Sequence, residues 1–300
     1  MTIPSLEQIA AHAEALDGRF LALALVFQLA NLALRALAWR NVLAAAYRGR
    51  DVPVVSVGAA YAAGVALNAV TPARGGEAAK ILLVRTRIRD SSVATIASSS
   101  SVILMLDAAI GTTLVAVAWS LGALPAPPVP SVPAGALLVL VPLVAAAVLI
   151  GIRFAPRLRA VGRQVRQGGA ILRSPGRYAR EVAAVQVAAW TCRIAVVFFL
   201  LAAFGLPATL PTAALVVVAG GLSTAVPTPG GMGTQQALVV YALHGTVSAA
   251  GAFSFSVAMQ LLVTAVNATI GIAAMMLLVR TVRPVAAVRA GMSVVRGRPG

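Results

Sequence analysis

Two segments share a Pro-x-x-Gly-Gly pattern and gather the residue types best suited to binding an anion. The first reads Leu67-Asn68-Ala69-Val70-Thr71-Pro72-Ala73-Arg74-Gly75-Gly76-Glu77 and the second Leu222-Ser223-Thr224-Ala225-Val226-Pro227-Thr228-Pro229-Gly230-Gly231-Met232, with the leading prolines 155 residues apart (227 minus 72). A proline that interrupts a helix ahead of two glycines leaves the first amides of the next helix without intrahelical partners, and glycine lets a ligand approach that backbone. Such amides favour anions. In the first segment Arg74 adds a planar five-donor group suited to phosphate, and Lys80 reinforces it one or two turns on. Glu77 stands three residues from each of these cations and can pair with either, which would reduce the segment to a capped helix turn. The second segment carries no charge. Thr228, Thr234, Gln235 and Gln236 offer it only neutral hydrogen bonds, so Pro227, Pro229, Gly230, Gly231 and Gly233, like Pro72 in the first segment, are read as a hinge or gate.

Three further ionisable residues fall inside long apolar runs, where a charge is costly enough to suggest function. They are Arg35, with Gln28 and Asn31 on the same helical face, Asp107 and Arg193. An ion pair between Asp107 and either arginine is the structural reading of this set. It does not cover the whole count, because Arg35, Arg74, Lys80 and Arg193 against Glu77 and Asp107 leave two positive charges over, and an anionic ligand would complete the site. Asn68, Gln260 and Asn267 supply supporting polar groups, and Gln260, Thr264 and Asn267 share one helical face as interhelical hydrogen-bonding residues do. No catalytic constellation is found. The single cysteine, Cys192, lies in an apolar run, His12 and His244 have no carboxylate or cysteine beside them, and Ser98 to Ser101 read as small residues that permit close packing, so neither an enzyme nor a metal or cofactor site is expected.

These groups are placed by elements that only a membrane accommodates. Of 300 residues, 60% are apolar and 11% charged, with a mean hydropathy of +0.92, which excludes a water-exposed globule. The net charge of +16 would suggest nucleic acid in a soluble protein, but the arginines gather between apolar runs, as they do in cytoplasmic loops. Arg48 and Arg50, then Arg85, Arg87 and Arg89, then eight arginines from Arg153 to Arg180, then the tail from Arg280, are therefore set inside, with the acidic N-terminus and the loop Pro125 to Pro133 outside. Threading the chain through these assignments gives helices over 19–47, 91–121, 134–152, 182–204 and 252–279, and leaves 52–89 and 207–250 as hairpins that enter the membrane and return on the same side. The alternative for each hairpin is a full span plus a surface loop.

The expected fold is an all-α polytopic bundle in one domain, 1–300, made of inverted-topology repeats, each with a Gly/Pro-broken re-entrant hairpin. Repeat 1 covers 19–121 and repeat 2 covers 182–280; 134–180 connects them, 1–18 is an interfacial amphipathic segment and 281–300 is a basic cytoplasmic tail. The basic stretch 153–180 either holds anionic lipid or sets topology.

Arg35-Ala36-Leu37-Ala38-Trp39-Arg40, Asn68 through Glu77, Asp107, and Pro227 through Gly233 resemble, in order and spacing, the transmembrane region of the lysylphosphatidylglycerol synthase family of flippase-like proteins. The resemblance spans almost the whole chain and implies lipid translocation without the soluble aminoacyltransferase domain of the bifunctional members. The chain departs from the family pattern in three places. Ile103 and Leu104 replace a frequent Glu-Arg pair, Gln260 stands where an arginine is frequent, and the usual extra N-terminal span is not found, so either the true start lies upstream or the amphipathic segment serves in its place. The first two remove charges that a lysylated headgroup would call for.

The sequence thus leads to a flippase or scramblase of the bacterial inner membrane that moves an anionic, phosphate-bearing phospholipid or polyprenyl-phosphate-linked lipid, with the N-terminus outside and the C-terminus cytoplasmic. In this reading Arg74, Gly75, Gly76, Lys80, Arg35 and Arg193 contact substrate, while Glu77 and Asp107 orient the arginines or accept a coupling proton. A homo-oligomer is compatible with it. The alternatives are a non-transporting scaffold for a lipid-modifying or glycosyltransferase enzyme, and an ion-coupled carrier of a small soluble anion.

Overall fold

The computed structural model describes residues 17–70, 75–120, 122, 155–223 and 233–279. The tip residues Thr71 to Arg74 and Thr224 to Met232, the expected helix 134–152, the N-terminal segment to Leu16 and the tail after Val279 lie outside the described residues. All regular elements among those described are helical: α1 (Gly18–Ala46), α2 (Val54–Val70), α3 (Gly75–Arg85), α4 (Val93–Ser120), α5 (Ala155–Gly168), α6 (Pro175–Ala203), α7 (Leu210–Ser223), α8 (Thr234–Ala242) and α9 (Ala249–Val279). Four of them, α1, α4, α6 and α9, are long and apolar enough to cross a bilayer, and the apolar α2 and α7 are shorter. The order long, short, short, long therefore occurs twice, with α7 and α9 each starting 156 residues after α2 and α4 (210 minus 54; 249 minus 93).

Local chemistry explains the helix ends. Asp17 caps α1 by accepting the Arg19 amide at 2.9 Å. The long helix expected over 182–204 begins at Pro175 instead, because proline is suited to a first helical turn and the Arg177–Glu181 pair, at 2.9 Å, supports the exposed start. A π-turn at Ala179–Ala183 carries α6 onward, and there Asn41 of α1 donates to the Glu181 carbonyl at 2.8 Å, satisfying a group that the widened turn loosens. At the opposite end the Asp17 amide donates to the Ala203 carbonyl at 3.3 Å, so α1 and α6 run antiparallel along their full lengths. The Gln28–Asn267 bond, 2.8 Å, joins α1 to α9, and Trp39–Ser99, 3.1 Å, joins α1 to α4.

Lipid tails are as apolar as leucine, so close fit and buried hydrogen bonds, rather than water exclusion, hold such helices together. Glycines set that fit at two positions. A Cβ on Gly76 would stand 1.9 Å from the Gly64 carbonyl oxygen, and one on Gly271 would stand 2.1 Å from the Ala66 Cβ, so α2 is clasped between α3 and α9. Buried apolar side chains form two clusters. One takes Trp39, Leu43, Val57, Leu83, Ile96 and Met275, from α1 to α4 and the end of α9, and the other takes Ala24, Leu201, Val216, Val239 and Phe255, from the other ends of α1 and α9 together with α6, α7 and α8. The first short pair packs into the first cluster only and the second pair into the second only. Leu23, Val26, Leu104, Met105, Leu261 and Leu277 are exposed on the long helices, which suits a surface facing hydrocarbon.

Candidate functional site

Between the two apolar clusters lies a charged centre built from α1, α4 and α6. Arg35 approaches Asp107 through both terminal nitrogens, Nη1 to Oδ2 at 2.9 Å and Nη2 to Oδ1 at 3.4 Å, while its Nε donates to Asn31 Oδ1 at 3.1 Å. Oδ1 of Asp107 also accepts from Gln186 Nε2 and from Trp190 Nε1, each at 2.7 Å. A carboxylate this fully bonded is fixed in place, and charge-assisted bonds of this kind are the strong ones. The pair is mostly shielded, with side-chain exposures of 14% for Arg35 and 20% for Asp107. Arg193, one turn beyond Trp190, places its guanidinium 5.3 Å from the centre of the indole, and Arg35 lies 5.9 Å from the same ring. Two cations thus lie against one aromatic ring, and among the described residues the only ion pair at this centre is Arg35 with Asp107.

Gln186, Trp190 and Arg193 follow the i, i+4, i+7 spacing of one helical face, a signal present in the sequence that would have placed Gln186 and Trp190 beside Arg193. The Gln186 carbonyl oxygen is buried without a hydrogen-bond partner, so the centre is polar beyond the needs of its own packing.

The first hairpin is arranged differently. Lys80 is 8% exposed, and its ammonium lies 2.6 Å from Glu77, 5.0 Å from the Trp39 ring and 5.2 Å from the Tyr61 ring. Those contacts make it an internal cation held in an aromatic corner. Gly76 is buried against Gly64 and Asn68, so the absence of a side chain there admits helix α2. Asn68 leaves its carbonyl oxygen buried and unpartnered beside it. Gly75 opens α3 as the sequence implies, and Arg74 and Pro72 lie outside the described residues.

In the second hairpin Gly233 adopts a φ of 83°, and its amide donates to Gln236 Oε1 at 2.7 Å to start α8. The Gln236 amide in turn donates to Gln260 of α9. Gln260 and Asn267 therefore connect helices, to α8 and α1 respectively. Pro227, Pro229, Gly230 and Gly231 lie outside the described residues. Among the described residues no group of three His, Cys, Asp or Glu is placed to hold a metal ion, and His244 is exposed in a turn.

Among the described residues, four membrane-length helices, two pairs of short helices and a charged centre define a multi-pass helical membrane protein. Residues 4–271 match the family described as the lysylphosphatidylglycerol synthase TM region, and the chain belongs to that family. No curated protein and no solved structure matches it.

Proposed function

We propose that this protein moves an anionic, phosphate-bearing lipid across the bacterial inner membrane as a flippase or scramblase, and is not an enzyme. The observation that carries the reading is the centre around Trp190, where Arg35, paired with Asp107, and Arg193 both lie against the indole near the middle of three long helices. A surplus positive charge at that depth is costly unless an anion visits it. The repeated element order supports two inverted repeats, and the confinement of each short pair to one apolar cluster supports hairpins that enter from opposite sides. A headgroup then passes along the polar interior while its tails stay in hydrocarbon. Arg74, at the tip of the first hairpin, would meet the headgroup phosphate within the membrane, and the cytoplasmic arginines would hold the C-terminal end inside.

The test is transbilayer exchange of headgroup-labelled phosphatidylglycerol in vesicles carrying the purified protein. Arg74→Ala and Glu77→Gln are expected to slow exchange, the first by removing a phosphate ligand and the second by removing the carboxylate that would accept a coupling proton. A folded Arg74→Ala protein with unchanged exchange would remove that residue from the path. Lys80→Met should lower Tm, through loss of cation–aromatic contacts worth about 1–2 kcal/mol, yet leave exchange within about twofold. A scaffold protein would show no exchange for any variant, and a carrier of soluble anions would release trapped phosphate without moving lipid.

A further inference from the structure

The second hairpin contains a donor-lined bay that the charged centre does not consume. A Cβ on Gly220 of α7 would stand 3.9 Å from Arg193 Nη2 and 4.0 Å from Gln235 Nε2, so a guanidinium from α6 and an amide from α8 converge on this glycine within contact range of a single added methyl. Among the described residues, two acceptors near these donors are engaged elsewhere. Asp107 already takes Arg35, Gln186 and Trp190, and the Gly220 carbonyl accepts the Ser223 hydroxyl at 2.7 Å. Gln236, beside Gln235, is committed to Gly233 and Gln260. The Trp190 ring backs the guanidinium and holds its plane.

We infer that the bay bounded by Arg193, Gln235 and Gly220 is a binding subsite for a phosphate oxyanion, and that it is the headgroup-holding position of the proposed lipid path. This rests on the transport reading for its second half only. A forked guanidinium and an amide N–H suit the separate oxygens of a tetrahedral phosphate, and glycine lets the ligand reach the helix backbone. The assignment moves the central contact from the first hairpin, whose Lys80 is already paired with Glu77, to the uncharged-looking second one.

Gly220→Ala is a sharp probe, because its added methyl makes only ordinary contacts at 3.9 and 4.0 Å and so folds, yet it fills the floor of the bay. Gly58→Ala, with nothing within 4 Å, is the control. The full chain is assayed in two ways: thermal stabilisation of the detergent-purified protein by inorganic phosphate, and exchange of labelled phosphatidylglycerol in phosphatidylcholine vesicles. Arg193→Gln and Gly220→Ala, each checked for a folded helical spectrum, are expected to lose at least about tenfold in either or both responses, as removal of a charged hydrogen bond predicts, with Gly58→Ala unchanged. A phosphate response lost in both variants without any lipid exchange supports the subsite and overturns the lipid path. Exchange lost in both variants without a phosphate response assigns the bay to a lipid headgroup. Lipid exchange that both variants retain overturns the subsite and leaves the transport reading standing. Neither response in the parent protein overturns both.

Discussion

Asp107→Ala is expected to destabilise the folded protein by about 3–5 kcal/mol, enough to abolish most of its yield from membranes. The substitution removes the acceptor for Arg35, Gln186 and Trp190 at once, leaving the Arg35 charge without its counterion and two polar N–H groups without their acceptor in a low-dielectric interior. Asp107→Asn should be milder, because an amide oxygen can still accept from Gln186 and Trp190, but it leaves Arg35 uncompensated. Adding Arg35→Met to Asp107→Asn should therefore recover more than about 1 kcal/mol of the loss, a non-additivity that marks direct coupling. Thermal unfolding of the parent, Asp107→Asn, Arg35→Met and the double variant in one detergent checks this. Additive effects would mean that the ion pair observed between α1 and α4 contributes nothing as a pair.

Gly76→Ala should be nearly as damaging for a different reason. The new Cβ would lie 1.9 Å from a backbone oxygen of Gly64, an obstacle that no rotamer change relieves, so α3 must move away from α2. Overpacking of this kind costs about 1–3 kcal/mol and more when backbone must shift. Gly271→Ala presses the other side of α2, meeting the Ala66 Cβ at 2.1 Å and the Ala62 carbonyl at 2.9 Å, and is expected to act in the same direction. Gly58→Ala, in open space on the same helix, should leave Tm unchanged or raise it slightly, since alanine is favoured over glycine in a helix by about 1 kcal/mol. Equal Tm values for Gly76→Ala and Gly58→Ala would contradict the clasped arrangement of α2.

These expectations differ in how visible they were in the chain itself. The four long helices and the interruptions between short ones follow from apolar run lengths and from Pro-x-x-Gly-Gly, both local signals. The Asp107 pair was one of two options that the sequence left open. Choosing between Arg35 and Arg193 needs the relative rotation of α1, α4 and α6, which no local pattern encodes. The same is true of Lys80: its spacing from Glu77 is readable, whereas its position between Trp39 and Tyr61 depends on α3 folding back against α1 and α2. Gly76 illustrates a misleading signal, because a glycine that admits a ligand and one that admits a neighbouring helix look alike in sequence. α6 starts earlier than the run of arginines implies, because an i, i+4 pair and a π-turn extend the helix through Arg177 and Arg180.

The charged centre also explains why the two hairpins are not chemically equivalent. At the first, Lys80 and Glu77 neutralise one another against aromatic rings. At the second, the neutral amide of Gln235 and the Arg193 guanidinium of α6 both border Gly220. An anion moving between them would pass from a self-neutralised corner toward a surplus positive charge, with the Arg35–Asp107 pair standing between as a fixed support.

The most direct measurement of lipid movement is the initial rate at which an outer-leaflet probe reaches headgroup-labelled lipid in vesicles with and without the protein, using phosphatidylglycerol and phosphatidylcholine in parallel. The account predicts phosphatidylglycerol exchange well above the protein-free rate and faster than phosphatidylcholine exchange. Rates equal to those of protein-free vesicles for both lipids would contradict it.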